Sequence, residues 1–189
     1  NRTLDAGVYE PVTIGDFVWH DKNGNGMQDS GEEGIPDVNV TLIIDGVPQD
    51  GLNGHPSISM DTNSTGEYFF DVSYDLKPDH NYSVQFSDTP VGFVFTTQNV
   101  IGSSDTNDSD ANRSGQSITA TPTMYSNDTN ISLDAGMYIP ANIGDRVWID
   151  NNGNGIQDSG EANVTGVRVT LYEANGTQVL TDIDGNLFG

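Results

Sequence analysis

Asp21, Asn23, Asn25, Asp29 and Glu32 occupy positions 1, 3, 5, 9 and 12 of the stretch DKNGNGMQDSGE, with Gly26 at position 6. Oxygen-bearing side chains at this spacing can converge on a hard cation. Calcium takes about 6–8 oxygens at roughly 2.3–2.6 Å, and a glycine at the sixth position permits the sharp turn that wraps the chain around it. Position 7 contributes only its backbone carbonyl, so Met27 is tolerated there. Glu32 is long enough to reach back with both oxygens. The pattern returns in DNNGNGIQDSGE, where Asp150, Asn152, Asn154, Asp158 and Glu161 fill the same places, Gly155 makes the turn and Ile156 supplies the carbonyl. A turn rich in Asn and Gly could match the pattern once. Two full sets in one phase predict two calcium loops.

The flanking residues are not helical. IGDFVW precedes the first loop and DVNVTLII follows it, with Val38, Val40 and Leu42 alternating with Asn39 and Thr41. Period two with β-branched residues predicts strands. After the second loop, GVRVTLY sets Val167, Val169 and Leu171 on one face and Arg168 and Thr170 on the other. Further strands are expected at 67–72, 81–86, 92–97, 116–121 and 131–138, punctuated by Gly, Pro, Asn and Asp. Seven or so short strands in one unit read as a Greek-key β-sandwich, so the fold class is all-β.

The repeat is broader than the loops. From Leu4 to Glu32, 21 of 29 positions are identical to the stretch from Leu133, at a constant offset of 129. Residues 1–9 therefore read as the last strand of a preceding repeat, 10–138 as a complete sandwich, and 139–189 as the first strands of a following, truncated one. The chain reads as a window on a longer tandem array. Only EPVT and IPAN separate Tyr9 from Ile14 and Tyr138 from Ile143, and Pro11 and Pro140 stiffen these short links.

Twenty-eight acidic residues against six basic give a net charge of −22 over 189 residues. Phosphate-rich partners are repelled by such a surface, which excludes nucleic acid and anionic membranes, and it attracts divalent cations. No apolar run is long enough to enter a membrane as a span. Cysteine is absent, so disulfides are excluded.

A second chemistry is written in Asn-x-Ser/Thr. It occurs at Asn1, Asn39, Asn63, Asn81, Asn107, Asn112, Asn127, Asn130, Asn163 and Asn175, where composition alone predicts roughly three. Asn39 and Asn81 alternate with inward Val and Tyr residues and point outward. Asn1 and Asn130 hold the same place in successive repeats. The expectation is a secreted, densely N-glycosylated chain carrying N-linked glycans, located outside the cell or at its surface.

IGDFVWHDKNGNGMQDSGEEGIPDVNVTL, with DTNSTGEYFF, SVQFSDTPVGFVFTT, SDTNDSD and LDAGMY, resembles the B-type repeat of serine-aspartate-repeat (Sdr) surface adhesins, within the prealbumin-like Cna-B group. The resemblance covers about 14–138 and the partial unit after it. It implies a calcium-dependent, Ig-like or prealbumin-like sandwich serving as stalk or spacer of a surface protein, with the loop residues above as ligands. SSDTNDSDANRSG holds Asp105, Asp108 and Asp110; the resemblance suggests a further calcium site there, and a solvated acidic loop is the equal alternative. Related Cna-B domains often carry a Lys–Asn cross-link. Lys22 lies inside a calcium loop and Lys77 beside Pro78, so no cross-link is expected here.

Trp19 and Trp148 admit two readings, at a junction between units or under a glycan, and in an ordinary core. His20, His55 and His80 form no zinc spacing or nucleophile–base pair, so no enzyme is expected. Two functions remain: a calcium-stiffened, glycosylated structural repeat of a fibre or stalk, and a ligand-binding adhesin module. Repetition favours the first. Its partners would be neighbouring repeats of the same chain and identical chains in a fibre.

Overall fold

A computed structural model describes residues 5–117 and 120–180. The chain divides into two compact units, residues 1–141 and 142–189. Every strand assigned among the described residues lies in the first: β1 (Thr13–His20), β2 (Asn39–Ile44), β3 (Val47–Pro48), β4 (Ser59–Asp61), β5 (Glu67–Phe70), β6 (Tyr82–Ser87), β7 (Val94–Phe95), β8 (Thr129–Asn130) and β9 (Ala135–Tyr138).

The strands form two sheets. One runs β5-β1-β9-β7, with β8 also beside β1; in the other, β2 carries β3 and β4 and pairs with β6. Alternation decides which side chains enter the core. On β6, Tyr82, Val84 and Phe86 are buried while Ser83, Gln85 and Ser87 face outward, and β2 answers with Val40 and Leu42. From the opposite sheet come Ile14, Val18, Tyr68, Phe70, Ala135 and Met137. Tyr68 of β5 meets Phe86 of β6 edge-on at 5.8 Å, joining the two sheets. Fully burying side chains of this size contributes about 1.5–3 kcal/mol each. Trp19, wholly buried, belongs to this unit's interior: a side chain on Gly136 of β9 would reach 2.7 Å from its ring.

The loop leaving the DKNGNGMQDSGE segment is locked by a close backbone approach. A Cβ on Gly34 would lie 1.8 Å from the Thr65 carbonyl oxygen, and Ile35 N–H donates to Val18 O at 2.8 Å. Only glycine fits at position 34, and this contact holds the exit of the twelve-residue loop against the turn before β5.

Several strand expectations are revised. The 67–72 strand stops at Phe70, because Asp71 accepts from Ser73 N–H and starts a 3-10 turn at Val72–Tyr74. The 92–97 strand shrinks to Val94–Phe95, although Thr96 N–H still donates to Gly136 O at 3.0 Å. In 116–121, residues 118 and 119 lie outside the described set; Ser117 and Thr121 donate to Val84 O and Tyr82 O and so run along β6. The 131–138 strand shortens to β9, Ala135–Tyr138, and β8 lies just before the expected span. Residues 5–9 form no strand: Val8 is exposed, and Tyr9 instead donates its hydroxyl to Asp75 Oδ1.

The second unit departs most. Val167, Val169 and Leu171 are exposed and unpaired in any strand, and the segment is held by single bridges such as Tyr172–Gln178. In the first unit β2 is bracketed by β4 and β6. Among the described residues of the second unit no strand pairs with this stripe, and an apolar stripe without a partner strand has nothing to be buried against.

Candidate metal centre

Asp21 follows directly on β1, and its own N–H donates to Met137 O of β9 at 2.8 Å. Its carboxylate turns into the loop: Oδ1 accepts from Gly24 N (2.7 Å) and Asn25 N (3.2 Å), and Oδ2 from Gly26 N (2.8 Å) and Thr96 Oγ1 (2.6 Å). Gly24 and Gly26, at φ 69° and 80°, supply the left-handed turns this wrapping needs. Asn23 and Asn25 both donate their amides to Asp29 Oδ2 at 2.8 Å, so three side chains at positions 3, 5 and 9 converge on one point. Glu32 closes the ring with both oxygens, Oε1 accepting from Lys22 N and Oε2 from Asp29 N. Lys22 Nζ donates to Gly31 O of the same loop at 3.2 Å and pairs with Glu33.

The second loop has the same architecture. Asp150 accepts from Gly153, Asn154 and Gly155 N–H; Asn152 and Asn154 donate to Asp158 Oδ2 at 2.8 Å; Glu161 accepts from Asn151 and Asp158 N–H. Bonding to these donors holds the Asp150 carboxyl below its ordinary range, the Gly155 N–H first among them, and the amides of Asn152 and Asn154 do the same for Asp158. Met27 and Ile156 each donate N–H to the side-chain oxygen of the Asn two residues before, Asn25 and Asn154. Among the described residues no three His, Asp or Glu side chains form a ready cation cage, since two of each loop's five side-chain ligands are amides and its carboxylates hold backbone N–H groups. The donor set is nonetheless all oxygen and gathered within twelve residues, which fits calcium.

The first loop does not stand alone. Met27 bridges to Asp108, Ser109 N–H donates to Gly26 O at 3.2 Å, and Gln28 N–H donates to Asn107 O at 2.8 Å. The acidic 103–115 segment is thus stitched along the first twelve-residue loop. Its three aspartates part company: Asp105 is exposed, Asp108 is buried and accepts from Ser103 Oγ at 2.5 Å, and Asp110 is buried deeper.

Asp110 meets two aspartates that lie outside the spaced motifs, Asp16 on β1 and Asp134 just before β9. Asp110 Oδ2 accepts from Asp134 N at 3.2 Å. Asp110 and Asp134 are each only 1% exposed, and one carboxylate oxygen on each of Asp16, Asp110 and Asp134 is buried with no hydrogen-bond partner. Burial pushes Asp16 and Asp110 up to about 7 and Asp134 to about 10, the neighbouring carboxylates adding to the rise on Asp134. A signal for them did exist: Asp16 and Asp134 recur as Asp145 and Asp5 in the other copies.

The sequons sit variously. Asn63, Asn81, Asn127, Asn163 and Asn175 are exposed; Asn39, Asn107, Asn112 and Asn130 are half-buried; Asn1 lies outside the described residues. Asn39 faces outward yet donates to Asp61 Oδ1 across the sheet. In Asn63, Asn112 and Asn175 the side-chain oxygen accepts from the N–H of the Ser or Thr two residues on.

Fold and loops define an all-β, Ig-like sandwich domain with an EF-hand-like loop joining strands. The model of the SdrD B-like domain matches residues 12–137 and 141–187, and the chain belongs to that family. It is similar to serine-aspartate repeat-containing protein D of Staphylococcus aureus (strain Newman), at 38% identity over 98% of this chain and 13% of the relative. Serine-aspartate repeat-containing protein F of Staphylococcus epidermidis (strain ATCC 12228 / FDA PCI 1200) is 36% identical over 98% of this chain and 10% of its own length. The chain thus spans about a tenth of these relatives.

Proposed function

We propose that the chain is a structural segment of an extracellular fibre or cell-surface stalk, stiffened by calcium and coated with N-linked glycans. One observation carries the calcium reading: two loops 129 positions apart hold the same internal hydrogen bonds around the same oxygen donors. Asp21, Asn23, Asn25, Met27 O, Asp29 and Glu32 would hold one ion, and Asp150, Asn152, Asn154, Ile156 O, Asp158 and Glu161 another. Asp16, Asp110 and Asp134 are not gathered as a ready cage among the described residues, but each buries a carboxylate oxygen without a hydrogen-bond partner, and a further ion drawing those oxygens together would offset the cost of burying them. Asp105 is too exposed to belong with them.

The stiffening runs through β9. Asp21 is bonded to Met137, and β9 ends at Tyr138, just before the Pro140 link. Small-angle scattering on a chain of three or more units, with calcium and after chelation, tests it. The maximum dimension is expected to fall on chelation; an unchanged dimension overturns stiffening and leaves calcium a local clasp.

The glycan reading rests on the sequon excess and on the exposed turns at Asn63, Asn81, Asn127, Asn163 and Asn175. Intact mass of native material is expected to exceed the bare 20.3 kDa of this segment. A match to the bare mass refutes it.

A further inference from the structure

The two loops share a sequence but not an environment, and the difference falls on the first ligand. Asp150 is only half-buried, and among the described residues its carboxylate accepts from backbone N–H groups alone. Asp21 is wholly buried and has a fourth donor, the Thr96 hydroxyl, at 2.6 Å. Thr96 comes from beyond β7, 75 residues away in sequence, and is itself fixed: it is 2% exposed, and its N–H donates to Gly136 O of β9.

We propose that Thr96 is a positioning residue for calcium, holding Asp21 in the rotamer that presents its carboxylate to the first loop. The proposal rests on the calcium reading above. The physical reason is restriction. A loop carboxylate held by three backbone N–H groups from its own loop moves whenever that loop moves. A hydroxyl anchored on another strand ties it to the sandwich, so less ordering remains to be done when the ion arrives. The hydroxyl donates to Oδ2, the oxygen shared with Gly26 N–H, and its hydrogen cannot be replaced by a methyl without leaving that buried oxygen one donor short. Groups that orient a metal ligand typically change affinity by about 10–100-fold when removed. The first loop should therefore bind calcium more tightly than the second, despite equal ligand sets.

Calcium titration calorimetry on the full chain tests this, with Asp150→Ala present throughout so that the second loop is silent. Thr96→Val, which keeps the shape and removes the hydroxyl, is expected to weaken the first loop about 10-fold. Thr96→Ser, which keeps the hydroxyl, is expected to restore it to within about 3-fold, a rescue that a packing role alone would not produce. Near-ultraviolet circular dichroism confirms the fold; if the Val variant does not fold, Thr96→Ala takes its place. First-loop affinity unchanged in Val and Ala overturns the proposal, as does equal loss in Val and Ser. Failure of the calcium reading looks different: the protein with Thr96 intact would then show no binding heat that Asp21→Ala removes.

Discussion

Removing calcium is expected to lower the melting temperature of the 1–141 unit by roughly 5–10 °C for each ion that it loses. An ion that binds only the folded state stabilises by about 2.7 kcal/mol when free calcium is a hundredfold above Kd. For a chain of this size 1 kcal/mol moves the midpoint by about 2–4 °C. The loop has reason to respond, because Asp21, Asp29 and Glu32 are brought together within twelve residues and lose their shared counter-charge with the ion. Asp21→Ala separates the loops. It removes the first-position ligand and also the acceptor for Gly24, Asn25 and Gly26 N–H, in a buried place. Its midpoint should be low even in calcium, and nearly insensitive to chelation at that loop. Asp150→Ala makes the same chemical change at a half-exposed position and should cost less, since water can replace the lost acceptor. Magnesium should protect poorly, because it demands tighter octahedral geometry and gives up water reluctantly. Differential scanning calorimetry in calcium, magnesium and chelator reads all of this. A midpoint that ignores calcium would remove the loops from the metal-binding reading.

The form of the two twelve-residue loops was legible because each is local. Twelve consecutive residues carry every proposed ligand, and the glycines that shape the turn are written between them. β2 and β6 were legible for a related reason: Val40 and Leu42, and Tyr82, Val84 and Phe86, state by alternation which face each strand buries. Alternation says nothing of whether a partner exists. Val167, Val169 and Leu171 have the same pattern and stay exposed, because pairing is a long-range event and among the described residues no strand pairs with them. The Asp16, Asp110 and Asp134 group was illegible for that same reason. Its members come from three segments that meet only when β1 pairs in parallel with β9 and the acidic segment folds alongside. The search by spacing found Asp105 and Asp108 next to Asp110, and the fold sorted them differently.

In calcium-free buffer, stability is expected to fall as pH rises from about 5 to 8, and calcium is expected to abolish that fall. Asp16 and Asp110 are pushed up to about 7 and Asp134 to about 10, chiefly by burial, from an ordinary value of 3.8. Above pH 4 the unfolded chain has released these protons while the folded chain still holds them. The folded state therefore binds more protons, and linkage makes stability decrease with rising pH through that window. The carboxylates with lowered values, such as Asp45 beside Asn81 N–H and His80, or Asp71 beside Ser73, have the opposite sign. Their contribution is lost as pH drops below their ordinary range, so the two effects occupy separate windows. A cation held by Asp16, Asp110 and Asp134 reverses the penalty, because it stabilises the ionised oxygens that are otherwise unpaired. Protons and calcium then compete, and calcium affinity at this site should weaken toward pH 5. Asp134→Asn supplies the control. Without its ionisation the calcium-free slope between pH 5 and 8 should shrink, and at pH 8 the variant should melt above the unsubstituted protein in calcium-free buffer and below it in calcium. Melting temperature measured across pH with and without the ion decides the matter. A calcium-free midpoint that is flat from pH 5 to 8 would mean that the three carboxylates find solvent or partners on folding, and would remove the reason for a cation among them.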